Sequence, residues 1–498
     1  MKKYLPFYVA IFASILLSFW LDYRETVINP DAICYLLSAQ SISLQGIKGA
    51  MQLCNQARWP FYPMLIHALA ETSHLSYVAS AYLLNAFFSL ITVTAFMLIV
   101  KQLGASRRIL WLAAATILLA HVFNSVRESI IRDHGFWACY LMSVYLLLRY
   151  FSHPRMLTAL AWAAMLIIAT LFRIEGAVFL LFLPLLAFFQ NRQSWRQGLL
   201  HYLSLNLFLI VIALFVGAWL IIYQHHSLNQ LGRVSELLNQ FQQGMNIIAE
   251  RYFTMKTALA QHVLSSDSVH DAGLVLIIMM TTWYLVSVIS NLSWIYMALL
   301  IYAWLRQSIK FSKQANWILL GYILINVLIT FAFLMQHVFL SNRYLIALSL
   351  ILMLWVPFAL DDLLNRRRQL AYAAAFFIGI ASLGGIFDFG YSKSYIHQGG
   401  DWIAANVPPT ASLYANDYQL MYYSQHFGNR IFSLLPVYTN VNAIANGKWM
   451  QYDYLALRLD QKDKWKFILT EIKSTPVAAF QNKRGDRVII YKISGDKV

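Results

Sequence analysis

The sequence predicts a polytopic α-helical membrane protein of about eleven spans followed by a small soluble α/β domain, and three observations support this. Hydrophobic residues make up 59% of the chain and charged residues 12%, against about 25% charged in ordinary soluble domains. Mean hydropathy is +0.56. The apolar residues fall in runs of membrane length until about residue 390, where charges return and the runs shorten to strand length.

Crossing a hydrocarbon core of about 30 Å takes about 20 apolar residues. Runs of roughly that length lie near 4–21, 77–100, 109–124, 135–151, 157–172, 177–190, 199–223, 272–305, 315–340, 344–360 and 370–387. Basic residues collect in cytoplasmic loops. With Lys2 and Lys3 inside, alternate loops hold Lys101, Arg107 and Arg108, then Arg155, then Arg192 and Arg196, then Arg306, Lys310 and Lys313, then Arg366, Arg367 and Arg368. Counting 272–305 as two spans would put that last cluster outside, so the run is read as one span preceded by a re-entrant or interfacial stretch. The net charge of +16 is then mainly a topology signal, with a smaller part in contact with anionic membrane lipid. Basic residues scattered among apolar spans form no face for nucleic acid, so no nucleic-acid partner is expected.

The expected domains are 1–390, a membrane domain with outer loops at 22–76 and 224–271, and 391–498, an extracytoplasmic α/β domain. The N-terminus is then cytoplasmic. The first span lacks a small-residue cleavage site and reads as a retained helix. Short loops and few cysteines favour a bacterial inner membrane, with the outer face in the periplasm. In the tail, Asp401–Asn406 suits a helix stopped by Pro408 and Pro409, Ala411–Ala415 a strand and Tyr418–His426 a helix. Runs at 466–469 and 487–491 suit strands. At about 108 residues the tail is long enough to bury a core of its own.

The first outer loop carries the richest pattern. Asn29-Pro30-Asp31-Ala32 opens a helix that runs through Cys34 and Ile42 to Gly46 and lies along the interface. Arg58-Trp59-Pro60-Phe61-Tyr62-Pro63 follows. Cys34 and Cys54 share this loop and are candidates for a disulfide in an oxidising compartment, although sequence does not give connectivity. Asp31 has two readings from the residues alone. With Asn29 as N-cap and Pro30 at the first helical position, it complements the helix macrodipole. Alternatively, it is a catalytic carboxylate held at a membrane surface.

Taken in order, several motifs together resemble the GT-C membrane glycosyltransferases, in particular the protein mannosyltransferase and lipid A aminoarabinose transferase group. They are Asp31, Tyr35 and Ala39 at four-residue spacing, Trp59 to Pro63, Arg132-Asp133 at the fourth span, Arg343-Tyr344-Leu345 near the tenth, and the soluble tail. The resemblance runs over nearly the full length. It implies that Asp31 is the general base or orients the acceptor, and that Asp133 is a second functional acid, with Glu128 a nearby alternative. It also implies that Arg343 contacts the lipid phosphate. Members of the group differ in metal use, so a divalent metal stays open and no cofactor is assigned.

The chemistry leads the same way. Transfer from a polyprenyl-phosphate sugar needs one carboxylate to take the acceptor proton and cations to stabilise the departing phosphate. Direct attack inverts the anomeric centre. Asp31 with Arg127, Arg132, Arg343 and Arg173 would supply that set, since the planar arginine fork binds two phosphate oxygens and stays charged. Tyr344 joins the phosphate contacts, and Tyr35, Arg58, Tyr62, Arg173 and Glu175 are the expected substrate contacts. The plainer readings are a helix-end pair for Asp133 with Arg132, Arg127 or His134, an interfacial anchor for Arg343, and loop pairing for Arg173 and Glu175.

His225, His226, His262 and Asp267 are weak metal candidates with no compact ligand spacing, more simply read as solvated loop residues. The amphipathic stretch Val234–Phe241 suits a connector or a lid. The absence of a P-loop or Gly-rich nucleotide fingerprint argues for a lipid-linked donor. The expected activity is therefore transfer of a sugar from a polyprenyl-phosphate donor to an acceptor hydroxyl on a lipid, glycan or protein. A transporter or flippase for lipid-linked sugars, or a non-catalytic assembly subunit, is the rival reading.

Overall fold

The structure, a computed structural model, describes residues 4–190, 194–222, 233–306, 309–387, 389–425, 448–461, 472 and 475–493. The apolar runs are helices. Among the described residues six helices are long and apolar enough to cross a membrane: Leu5–Arg24, Tyr77–Gln102, Ser266–Leu292, Lys313–His337, Asn342–Arg366 and Arg368–Ile386. Met156–Phe172, Glu175–Phe189 and Trp294–Leu305 are apolar but shorter.

Several runs read as single spans are interrupted. The run 109–124 becomes Arg107–Leu118 and His121–Ser125, and the side chain of Asn124 donates to the Leu118 carbonyl at 2.7 Å, satisfying the end of the first piece. The run 272–305 breaks at Ser293, whose φ of 72° leaves the helical region, into Ala272–Leu292 and Trp294–Leu305. Ahead of it lies a helix at Arg233–His262.

The chain divides into two compact units. One comprises Met1–Ser18, Asn85–Arg127 and Arg132–Phe387. Its helices are tied by buried polar side chains, which in an apolar medium have no better partner than one another. Tyr322 bonds Ser143 at 2.9 Å and receives the Trp162 indole at 3.2 Å. Tyr284 bonds Thr330 at 2.7 Å, and Ser349 donates to Asn291 at 2.7 Å. Gly385 packs so closely on the short His121–Ser125 helix that a Cβ there would sit 2.6 Å from the His121 carbonyl oxygen.

The other unit comprises Phe19–Leu84, Glu128–Ile131 and Asp388–Val498; the first loop thus groups with the tail. Four strands, β1 Leu413–Ala415, β2 Tyr454–Leu459, β3 Pro476–Gln481 and β4 Arg487–Lys492, form a sheet in the order β1-β2-β4-β3, with β1 and β2 parallel and the remaining pairs antiparallel. The strand expected at 466–469 lies outside the described residues, whereas β2 and β3 were not foreseen. Both faces of the sheet are covered. Val488 and Ile490 pack with Ile396, Ile403 and Leu420 of the helices Ser394–Asn406 and Tyr418–Ser424, while Ile489 and Tyr491 pack with Leu455 and Trp449.

The helix predicted to end at Gly46 instead extends over Pro30–Leu53, with a sharp kink at Gly46, where φ is 68° and ψ −173°. Only glycine adopts such a conformation readily. Twenty residues of straight helix would separate Cys34 from Cys54 by about 30 Å. The kink folds the chain back, and the two form a disulfide with Cα atoms 6.1 Å apart. The Phe61–Ser73 helix packs on the first arm, where the Tyr62 ring meets Tyr35 edge-on at 5.2 Å.

Candidate functional site

In the membrane unit, Asp133 opens the helix Asp133–Ser152 and Arg173 ends the helix Met156–Phe172. The two helices have similar lengths and a short connection, so the second returns its C-terminus to the start of the first. Close approach is built in. A Cβ on Gly135 would collide with the Phe172 ring, and one on Gly176 would sit 2.6 Å from the Thr170 backbone nitrogen. Arg173 consequently reaches both Asp133 and Glu175, the first residue of the next helix, Glu175–Phe182. Its Nε donates to Glu175 at 3.1 Å.

Arg343 lies in the first turn of Asn342–Leu352, beside Tyr344. The guanidinium of Arg173 lies 4.7 Å from the centroid of the Tyr344 ring and that of Arg343 lies 5.2 Å from it, distances at which the ring quadrupole attracts a cation. Arg343 and Arg132 both act electrostatically on Asp133, and Arg132 also on Glu175. Three arginines against two carboxylates leave one excess positive charge at this spot.

Arg173, Glu175, Arg343 and Tyr344 border a small pocket, lined also by Phe136, Trp137, Phe179, Asn326, Thr330 and Phe333. Asn326 and Thr330 were not foreseen. They lie four residues apart, on one face of the helix Lys313–His337. Polar side chains at that spacing inside an apolar run were the available signal.

Arg127 has a different setting. Its Nη1 donates to the Ser14 carbonyl and hydroxyl at 3.1 and 3.0 Å, and its guanidinium lies 4.9 Å from the Phe123 ring. His134 contacts the Val126 carbonyl oxygen through Nε2 at 3.1 Å.

The second unit holds Asp31, Tyr35, Arg58 and Tyr62. Pro30 and Asp31 open their helix as expected, but Asn29 is no side-chain cap. Its amide instead makes paired bonds with the backbone of Ile130, donating to the carbonyl at 3.3 Å and accepting from the N–H at 2.8 Å. Next to it, the Ile28 N–H donates to the Tyr423 hydroxyl at 2.8 Å and the Ile28 carbonyl accepts from Gln419 at 2.7 Å. Val27 is buried in the core of the tail. The chain entering Asp31 is thus fixed at three successive residues. The Asp31 carboxylate accepts a hydrogen bond from Gln56 at 2.7 Å.

Glu128 pairs with Arg24 at 2.7 Å. Burial and the neighbouring Glu25 carboxylate push its carboxyl up to about 7, against the opposing pull of Arg24. Of the metal candidates, His262 ends the helix Arg233–His262, Asp267 sits in the turn Ser266–Asp271, and His225 and His226 lie outside the described residues. Among the described residues no three His, Cys, Asp or Glu side chains are gathered closely enough to hold a metal ion.

No protein-family model matches the sequence, and no curated protein matches it. Among solved structures, the chain is similar to the apo oligosaccharyltransferase of Archaeoglobus fulgidus, with TM-score 0.53 and 12% identity over 94% of this chain and 71% of that one. The same protein tethered to an acceptor peptide containing the NVT sequon gives TM-score 0.50 and 12% identity over 88% of this chain. This chain spans 60% of the length of that structure. ArnT from Cupriavidus metallidurans bound to undecaprenyl phosphate aligns over 99% of this chain and 98% of that one at 14% identity, with a TM-score of 0.39 that carries no weight. The chain thus shares its fold with the Archaeoglobus fulgidus oligosaccharyltransferase.

Proposed function

We propose that this chain is a glycosyltransferase that moves a sugar from a polyprenyl-phosphate donor to an acceptor hydroxyl on the outer, periplasmic face of a bacterial inner membrane, with inversion. The observation that carries the reading is the pocket lined by Arg173 and Arg343, in a chain that shares its fold with an oligosaccharyltransferase. In this reading about eleven spans put the N-terminus in the cytoplasm and the tail in the periplasm.

The acceptor oxygen attacks the anomeric carbon while Asp31 takes its proton. The bond from that carbon to the phosphate oxygen breaks, and its electron pair leaves on the phosphate. The donor phosphodiester carries one negative charge, and the departing monoester gains a second. A cavity with one excess positive charge therefore interacts more strongly with the transition state than with the bound donor, which is what accelerates a reaction. Arg343, Arg173 and Arg132, with the Tyr344 hydroxyl, are the proposed phosphate contacts. Asp133 and Glu175 hold Arg173 in place, so Asp133 serves the reaction through that arginine. Tyr35, Arg58 and Tyr62 line the acceptor side. No step is routed through a metal.

The test is turnover by purified full-length protein in lipid, using a panel of polyprenyl-phosphate sugars and an acceptor extract. Wild type is expected to release polyprenyl phosphate, Asp31→Asn to release none, and Arg343→Leu to need much more donor. Full turnover by a folded Asp31→Asn variant would reduce that residue to a helix-end charge. Absence of turnover with every donor would favour transport or assembly.

A further inference from the structure

We propose that Gln56 is a positioning residue for Asp31 and that the Cys34–Cys54 disulfide is the brace that keeps it there; this rests on Asp31 being the acceptor base. Gln56 reaches Asp31 from 25 residues away, with Nε2 donating to Oδ1 at 2.7 Å. The two segments are distant along the chain. Gln56 sits in the short turn Asn55–Ala57, after an arm that departs from the Asp31 helix at the Gly46 kink. The disulfide closes that gap. Cys34 lies one helical turn beyond Asp31, and Cys54 lies two residues before Gln56. A single covalent bond thus joins the turn carrying the carboxylate to the turn carrying its donor.

The chemistry of the donor matters as much as its place. A carboxylate on a short side chain swings about its last torsion, which has a broad, roughly two-fold preference. A hydrogen bond to Oδ1 fixes the plane of the group and so the direction from which Oδ2 meets a hydroxyl. An amide does this without bringing a positive charge, whereas a cation in its place would hold the proton-accepting electrons and weaken the base. Asp31 is partly exposed, as a group that meets substrate must be.

The experiment compares wild type, Gln56→Leu, Gln56→Glu, Cys34→Ser/Cys54→Ser and Asp31→Asn in the same lipid assay, measuring kcat and donor KM. Thermal unfolding and thiol labelling report folding and disulfide state. Gln56→Glu has nearly the same shape but no amide donor, so it separates the hydrogen bond from packing. Both Gln56 variants are expected to lose on the order of 10- to 100-fold in kcat with donor KM little changed. Dithiothreitol on wild type should produce a similar loss, as the Sγ–Sγ bond takes up two electrons and two protons and the dithiol closes to its cyclic disulfide. Reoxidation should restore activity, and the double serine variant should be slow with or without the dithiol. Wild-type kcat in Gln56→Glu and Gln56→Leu, beside an inactive Asp31→Asn, overturns this inference alone. Full activity in Asp31→Asn overturns it together with the reading of the base.

Discussion

Two carboxylates of this protein, Asp133 and Asp31, are held by opposite means. Asp133 is buried and ion-paired to Arg173, with Arg343 and Arg132 acting on it as well. Asp31 is partly exposed and is met by the neutral amide of Gln56. A carboxylate surrounded by arginines is committed as a counter-ion, so its value lies in fixing the arginines. The amide of Gln56 brings no charge to Asp31 and fixes the plane of the carboxylate instead. The proposed division, with chemistry at Asp31 and scaffolding at Asp133, rests on that difference, although the two residues look alike in the sequence.

The sharpest way to break the contrast is to remove each partner. Arg173→Leu leaves the buried Asp133 and the half-buried Glu175 without their shared cation, and a loss of about 3–5 kcal/mol is expected, read by unfolding in detergent. The corresponding Gln56→Leu removes a neutral bond to a partly exposed group and should cost about 1 kcal/mol. Equal losses would erase the distinction between the two sites.

Next in size is Gly46→Ala. Space is open around Gly46, so the penalty is backbone strain of about 1–3 kcal/mol, with two reactive thiols appearing where wild type shows a disulfide. A variant that keeps the disulfide and its melting temperature would show that the loop reverses without the glycine.

The smallest effect is expected at Glu128. Its folded carboxyl titrates near 7, above the usual value of 4.5, so the folded state binds more protons between those values. The stability this contributes is fully present below about 4.5 and is lost as pH rises through about 7. Glu128→Gln should flatten the decline in melting temperature across that window. An unchanged slope would show that the Glu128 carboxyl does not govern stability in that window.

Much of this was legible in the chain. Spans announce themselves by length and hydropathy, and a proline at the first helical position marked the start of the Asp31 helix. What escaped was set by partners distant in sequence. Asn29 resembles an N-cap, yet its amide is taken by Ile130, about a hundred residues on. Arg127 and Arg132 look interchangeable in one short loop, and nothing local reveals that the former turns towards Ser14. The strand β2 is buried on both faces, so Leu455, Ala456 and Leu457 show no alternation. The Ser293 break is a backbone conformation with no residue signature, since serine has no special tolerance for positive φ.

The three-residue clamp ahead of Asp31 has a bearing on biosynthesis. Val27 lies among side chains as late as Ile490, and Ile28 is held by residues 391 and 395 positions downstream. The ribosome therefore delivers the loop near the beginning of synthesis and its seat near the end, and pairings of such sequence separation form late. Until the tail emerges and folds, the Asp31 segment lacks the contacts that fix Val27 and Ile28. A nascent chain can therefore carry its apolar helices complete while the segment ahead of Asp31 still waits for the C-terminal sheet.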